Sequence, residues 1–163
     1  MNTLPSLLLA FAALAASLPV AAQGRFTVSG DGLEVADKKS GVIWARCAEG
    51  MEWKGKTCQG RALQVPYPAA QARVAEVAAR TGKAWRLPTI KELVALANPA
   101  EADPSANIAA IDATVFPATP PLRFWTSSNA GPHYYMYVGF KDGEAGENSR
   151  SIPAALRLVR DNK

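Results

Sequence analysis

The chain has 163 residues, with 18 Lys and Arg against 14 Asp and Glu, one His and two Cys, and a formal net charge of +4. That is enough for one domain that buries a core without help from a metal or several disulfides. The positive balance favours acidic partners, weakly, and no segment beyond the N-terminal apolar run could cross a membrane.

Residues 7–18 are apolar but too short to span a bilayer, and Val20-Ala21-Ala22 supplies small residues for signal peptidase. Residues 1–22 therefore read as a signal peptide, Gln23 as the mature N-terminus, and 23–163 as one domain. No Lys or Arg precedes the run, a departure from the usual signal-peptide pattern, and no cysteine follows it closely, which argues against a lipid anchor. The competing reading is an N-terminal membrane anchor. Cleavage implies a periplasmic or secreted protein with no stable membrane insertion.

Residues 26–28, 33–35 and 42–44 alternate as short strands between Gly30-Asp31-Gly32 and the 38–41 turn, predicting a small meander. Cys47 and Cys58 follow. In an exported chain such a pair reads as one disulfide closing a short loop. A zinc site or redox pair is the rival, but no second Cys or His pair stands nearby to complete zinc coordination. Pro66 and Pro68 bracket Tyr67, and 69–81 reads as an Ala-rich helix with Ala70, Val74 and Val77 inward, ended by Gly82.

The most informative block is Trp85-Arg86-Leu87-Pro88-Thr89-Ile90-Lys91-Glu92-Leu93. Pro88 disfavours helical geometry at Leu87, so the chain arrives extended. Thr89 and Glu92 have capping-box spacing, and Ile90, Leu93, Leu96 and Ala97 give the helix one apolar face until Asn98-Pro99 stops it. Residues 98–121 are irregular, with Ile108, Ile111, Val115 and Phe116 as expected core anchors and a short helical turn near Asp112. Strands return at 124–127 and 134–140, Asp142-Gly143 signals a hairpin, and 156–160 alternates as a final strand. Strands at both ends around two helices predict an α+β architecture with a small antiparallel sheet.

Trp-Arg-Leu-Pro-Thr followed by a Glu-Leu helix resembles the signature of the Lcl C-terminal domain family, also known as DUF1566, a bacterial module related to the C-type lectin-like fold. Further stretches agree in order: the run from Gly32 to Trp44, Ala113 to Pro117, Phe124 to Ser128, Tyr137 to Gly143, and Leu156 to Arg160. The resemblance covers nearly the whole mature chain. It implies paired first and last strands, no established enzymatic activity, and recognition of glycans or acidic polysaccharides, since collagen-like adhesins carrying this domain are associated with sulfated polysaccharides. This chain lacks their collagen repeat, so a single site would gain no avidity.

Two surfaces are candidate ligand-binding sites. Trp53, Lys54, Lys56 and Arg61 lie in or just after the disulfide loop, where a cross-link would present cations at reduced ordering cost. The bland alternative is a solvated loop partly neutralised by Glu49 and Glu52. Arg123, Tyr135, Tyr137, Lys141 and Arg150 form the second candidate. Tyr135 and Tyr137 share one strand face and Tyr134 the other, and one face should be core. Trp44 and Trp85 sit beside strand and helix anchors and are expected in the core.

No metal or cofactor is expected. The Glu-Pro-Asn, Gln-Pro-Asp and Trp-Asn-Asp motifs of calcium-dependent lectins are absent from the sequence, and the oxygen-bearing residues at Asn98, Glu101 and Asp103 and at Asp142, Glu144, Glu147 and Asn148 match no known calcium loop. Catalysis has little support: His133 is the only histidine, Ser127 and Ser128 lie in no Gly-x-Ser-x-Gly elbow, and formylglycine-type chemistry needs reactive cysteines. The expected function is a non-enzymatic binding module. A docking module for another envelope protein is the alternative, a hydrolase relying on His133 ranks third, and nucleic acid is disfavoured by export and modest charge.

Overall fold

The computed structural model describes residues 24–162, so the expected signal peptide lies outside the described residues. In chain order the elements begin with strands β1 (Phe26–Val28), β2 (Glu34–Asp37), β3 (Val42–Ala45), β4 (Met51–Trp53), β5 (Cys58–Gly60) and β6 (Gln64–Val65). Helices α1 (Tyr67–Thr81) and α2 (Ile90–Leu96) follow, then β7 (Arg123–Gly131), β8 (Tyr134–Gly139), β9 (Ala145–Ser149), β10 (Ala154–Ala155) and β11 (Val159–Asp161). The α+β expectation stands.

The meander forms as read, and β1, β2, β3 and β11 make a four-stranded antiparallel sheet. One expectation needs correcting: the first strand does not pair with the last. Two successive hairpins place β1 at one edge, so the returning C-terminus meets the free edge of β3, with Val159 opposite Trp44. A five-stranded sheet runs β6-β10-β7-β8-β9, and β4 and β5 pair alone, β5 starting at the bridged Cys58. Strand β9, Ala-Gly-Glu-Asn-Ser, carries no strand signal of its own. The Asp142-Gly143 turn folds it onto β8, with Gly143 N–H donating to Gly139 C=O (2.8 Å) and Glu144 N–H to Asp142 Oδ1 (3.0 Å).

Helix α1 starts two residues earlier than read, at Tyr67, because Pro68 is tolerated in a first turn. Ala70 and Val77 are buried and Val74 partly so. At α2 the capping box closes, with Glu92 N–H donating to Thr89 Oγ1 (3.3 Å) and Thr89 N–H to Glu92 Oε2 (2.7 Å). Ser128 Oγ accepts the Ile90 N–H at 3.0 Å, tying the helix start to β7. No helix among the described residues is long and apolar enough to cross a membrane.

Alternation along the five-stranded sheet splits the core in two. Phe124 and Val138 face a cluster with Leu93 and Leu96 of α2 and Val35, Val42 and Trp44 of the first sheet. Trp125 faces the opposite way, against Tyr67, Ala70 and Val77 of α1, with Trp85, Leu87, Leu156 and Leu158. Trp44, Trp85 and Trp125 are thus core residues. Ile111, Val115 and Phe116 anchor the irregular stretch, and Phe116 N–H closes one helical turn on Asp112 C=O at 2.8 Å. Ile108 is not an anchor. It pairs with Asp103 across a short bridge that leaves its side chain 45% exposed, while Ala109 and Ala110 go inward.

Asp37 is a buried carboxylate at the end of β2. Burial by itself raises its pKa, but bonds from Arg25 (2.9 and 2.7 Å), Ser40 Oγ (2.7 Å) and Lys39 N–H (3.0 Å) win and hold it at about 2. A depressed native pKa gives stability that is complete above the unfolded value and disappears as pH falls through the folded one, here about 2 kcal/mol. Acid titrations of unfolding free energy should show that loss between about pH 4 and 2, and Asp37→Asn should abolish this step.

Candidate functional site

The Trp85–Leu93 block lies against a groove, but its chemistry is spent on the fold. Arg86 forks onto Glu92 at 2.9 and 2.8 Å and reaches Asp161 at 2.9 Å, hydrogen bonds that raise its pKa. Its backbone exchanges both hydrogen bonds with Val159, clasping the block to β11. A mostly apolar hollow of about 270 Å³ opens beside it, lined by Tyr67, Gln71, Val74, Leu87 and Ser127.

Cys47 and Cys58 are joined, S–S 2.03 Å with Cα atoms 5.6 Å apart. The loop they close is the β4–β5 hairpin, and it separates the expected basic cluster. Lys54 and Lys56 occupy its tip, next to the Trp53–Cys58 pair, whereas Arg61 follows Gly60 at the base. Three residues of strand put roughly 10 Å between the two ends. Lys54 is also paired, with Glu52 at 2.6 Å.

Trp53 is half-buried rather than a free platform. The Arg46 guanidinium covers one face of its ring at 3.8 Å from the centroid. The indole edge rests on Gly32, where an added Cβ would lie 2.5 Å from Nε1, so this left-handed turn position (φ 75°) admits only glycine.

The second expected cluster is gathered only in part. Arg123 stacks over Tyr137 at 4.7 Å from the ring centroid. Together with Lys141 they line a hollow of about 310 Å³, closed by Pro121, Leu122 and Glu144. Tyr137 reaches over its cross-strand partner Gly146, where a Cβ would come within 2.8 Å of the hydroxyl. Asp142, also on the rim, is exposed and accepts the Glu144 N–H. Neither Arg123 nor Lys141 forms an ion pair among the described residues.

Tyr135 is on the same sheet face, as alternation requires, but at an end that α1 covers: it stacks on Tyr67 with centroids 3.5 Å apart. Burial there, with Tyr135 alongside, pushes the Tyr67 phenol up to about 12. Arg150 sits by His133 at the far end of β8, about 17 Å from Lys141 by strand length. Tyr135 and Arg150 therefore do not share the Arg123 hollow.

Arg61 faces a different neighbour from the one its sequence position suggests. It lines a hollow of about 420 Å³ with Met51, Gln64, Ala118, Pro120 and Leu122, and Leu122 also lines the Arg123 hollow. The two cavities adjoin across the 118–123 segment.

Sequence reasoning missed Arg157, which is fully buried. Its Nη1 donates to the carbonyls of Ala45 (3.0 Å) and Arg46, its Nη2 to Thr119 Oγ1 (2.7 Å), and Phe116 and Phe124 present their rings at 5.0 and 6.0 Å. Arg46 Nε donates to Val115 C=O at 2.8 Å, so two arginines fasten the start of the disulfide loop to the 115–119 segment. The only signal was a cation between two leucines near the C-terminus, which reads equally well as an alternating strand. His133 is exposed, Ser128 is spent on α2, and Ser127 Oγ donates weakly to Pro88 C=O (3.3 Å).

A family model described as the Lcl C-terminal domain matches residues 33–160. No curated protein and no solved structure matches the chain.

Proposed function

The chain belongs to the Lcl C-terminal domain family, and from that premise we propose that it is an exported, non-enzymatic binding module of C-type lectin-like fold that recognises glycans or acidic polysaccharides in the periplasm or outside the cell. The observation that carries this reading is the Arg123–Tyr137–Lys141 hollow. An arginine lies on an aromatic face and a lysine stands beside it, both without carboxylate partners among the described residues, at the mouth of a cavity of about 310 Å³. A guanidinium forks onto carboxylate or sulfate, and the lysine ammonium adds a second cation for the same anion. The lectin-like reading is supported by the capping-box helix packed between a meander closed by the C-terminal strand and a second sheet.

The test is retention on a heparin-like resin with salt elution. The protein is expected to be retained at low salt and released steeply as salt rises. Arg123→Ala with Lys141→Ala should weaken binding by up to about thirtyfold, two exposed charge contacts at up to about 1 kcal/mol each. The Lys54→Ala, Lys56→Ala, Arg61→Ala triple variant should elute closer to the parent. A parent that flows through at low salt overturns the reading. The alternative, docking on an envelope protein, is favoured by Tyr134 and Ile152, which are 47% and 50% exposed and adjoin at Ser149. Such a contact would hardly respond to salt.

A further inference from the structure

We propose that the hollow beside the disulfide is a second binding site, taking a carboxylate carried on an apolar body, with Arg61 holding the carboxylate and the Ala118–Leu122 wall holding the body. It adjoins the Arg123 hollow at Leu122 but does not rest on that hollow's polyanion reading.

The walls set the ligand class. Met51, Ala118, Pro120 and Leu122 supply apolar surface, and Arg61 and Gln64 supply polar groups, around about 420 Å³. That volume falls in the range of small-molecule sites, about 300–1,000 Å³. Arg61 is exposed and makes neither an ion pair nor a side-chain hydrogen bond among the described residues, so its fork is available. One guanidinium matches one carboxylate. Apolar walls disfavour a sulfate or phosphate, which keeps more of its water, and favour an acid with hydrocarbon to bury.

The wall is also held in a costly conformation. Ala118 has φ 56°, a left-handed backbone that an L-residue with a Cβ rarely adopts. Its neighbour Thr119 fixes it: Oγ1 donates to Phe116 C=O at 2.8 Å and accepts from buried Arg157 at 2.7 Å. Across the cavity Cys58 is pinned to Cys47. A cavity with one wall cross-linked and the other strained yet locked by a buried arginine is preorganised, and binding there loses little to ordering.

The experiment is an amide NMR titration of the disulfide-intact protein with three probes: N-acetyl-leucine, N-acetyl-leucinamide and hexanoate. Saturable shifts at residues 60–64 and 118–122 are expected with N-acetyl-leucine, about tenfold weaker binding with the uncharged amide, and a similar loss with Arg61→Gln. Hexanoate binding as well as N-acetyl-leucine identifies a free aliphatic acid as sufficient, whereas N-acetyl-leucine alone points to a peptide's carboxyl terminus; both fit the site. Ala118→Gly relieves the strain, leaves the Thr119 bonds in place and removes one methyl from the wall, so it should melt no lower than the parent and bind N-acetyl-leucine within about fourfold of it. Equal binding of acid and amide, absence of saturable shifts at these residues, or undiminished binding by Arg61→Gln would each overturn the proposal.

Discussion

Arg157→Ala should lower the unfolding free energy by about 4 kcal/mol, read from urea titrations with an unchanged m-value. The guanidinium serves three acceptors, the carbonyls of Ala45 and Arg46 and the Thr119 hydroxyl, and no part of it reaches solvent. Truncation strands these acceptors in the core at roughly 1–3 kcal/mol for each that water cannot reach, and opens a void between Phe116 and Phe124. The charge itself is a burden. Burial pulls the guanidinium pKa down to about 9, with no carboxylate among the described residues hydrogen-bonded to it. Arg157→Met, which keeps volume and sheds the charge, should therefore cost less, about 2 kcal/mol, although the acceptors stay unpaired. A loss below about 1 kcal/mol for Arg157→Ala would mean that water replaces the guanidinium without penalty, and the fastening role would fail.

What could be read in advance follows the range of the interaction. The Thr89–Glu92 box joins residues three apart, and the Gly30–Gly32 and Asp142–Gly143 turns are equally local, so corner, meander and hairpin were legible. Both helices were legible from apolar spacing. Strands β4 and β9 were not, because Glu52 and Glu147 sit on solvent-facing positions and pairing comes from the neighbouring strand. Ile108 misled because hydrophobicity predicts burial only where the backbone aims the side chain inward, and the bridge to Asp103 aims it out. The candidate sites suffered most. Sequence adjacency grouped Arg61 with Lys54 and Lys56, whereas the hairpin turns the lysines away and the 118–122 segment, distant in sequence, supplies Arg61 with a wall.

Replacing both bridged cysteines, Cys47→Ser with Cys58→Ser, should cost roughly 3 kcal/mol, the loop-closure entropy of a cross-link spanning a sequence separation of 11. The consequence beyond stability is regional. Strands β4 and β5 pair with nothing else, and an isolated two-stranded ribbon is marginal in water. Without the cross-link the hairpin is held by Trp53 on Gly32 under Arg46, and by Leu63 N–H on Glu49 C=O at 2.7 Å. Local opening should therefore precede global unfolding, seen as a tryptophan fluorescence change at lower urea than the loss of far-UV signal. Cys58 lines the Arg61 hollow, and no cysteine lines the Arg123 hollow. The double serine variant should therefore lose N-acetyl-leucine binding while eluting from a heparin-like resin near the parent. Coincident unfolding transitions would show instead that the hairpin belongs to the same cooperative unit as the two main sheets.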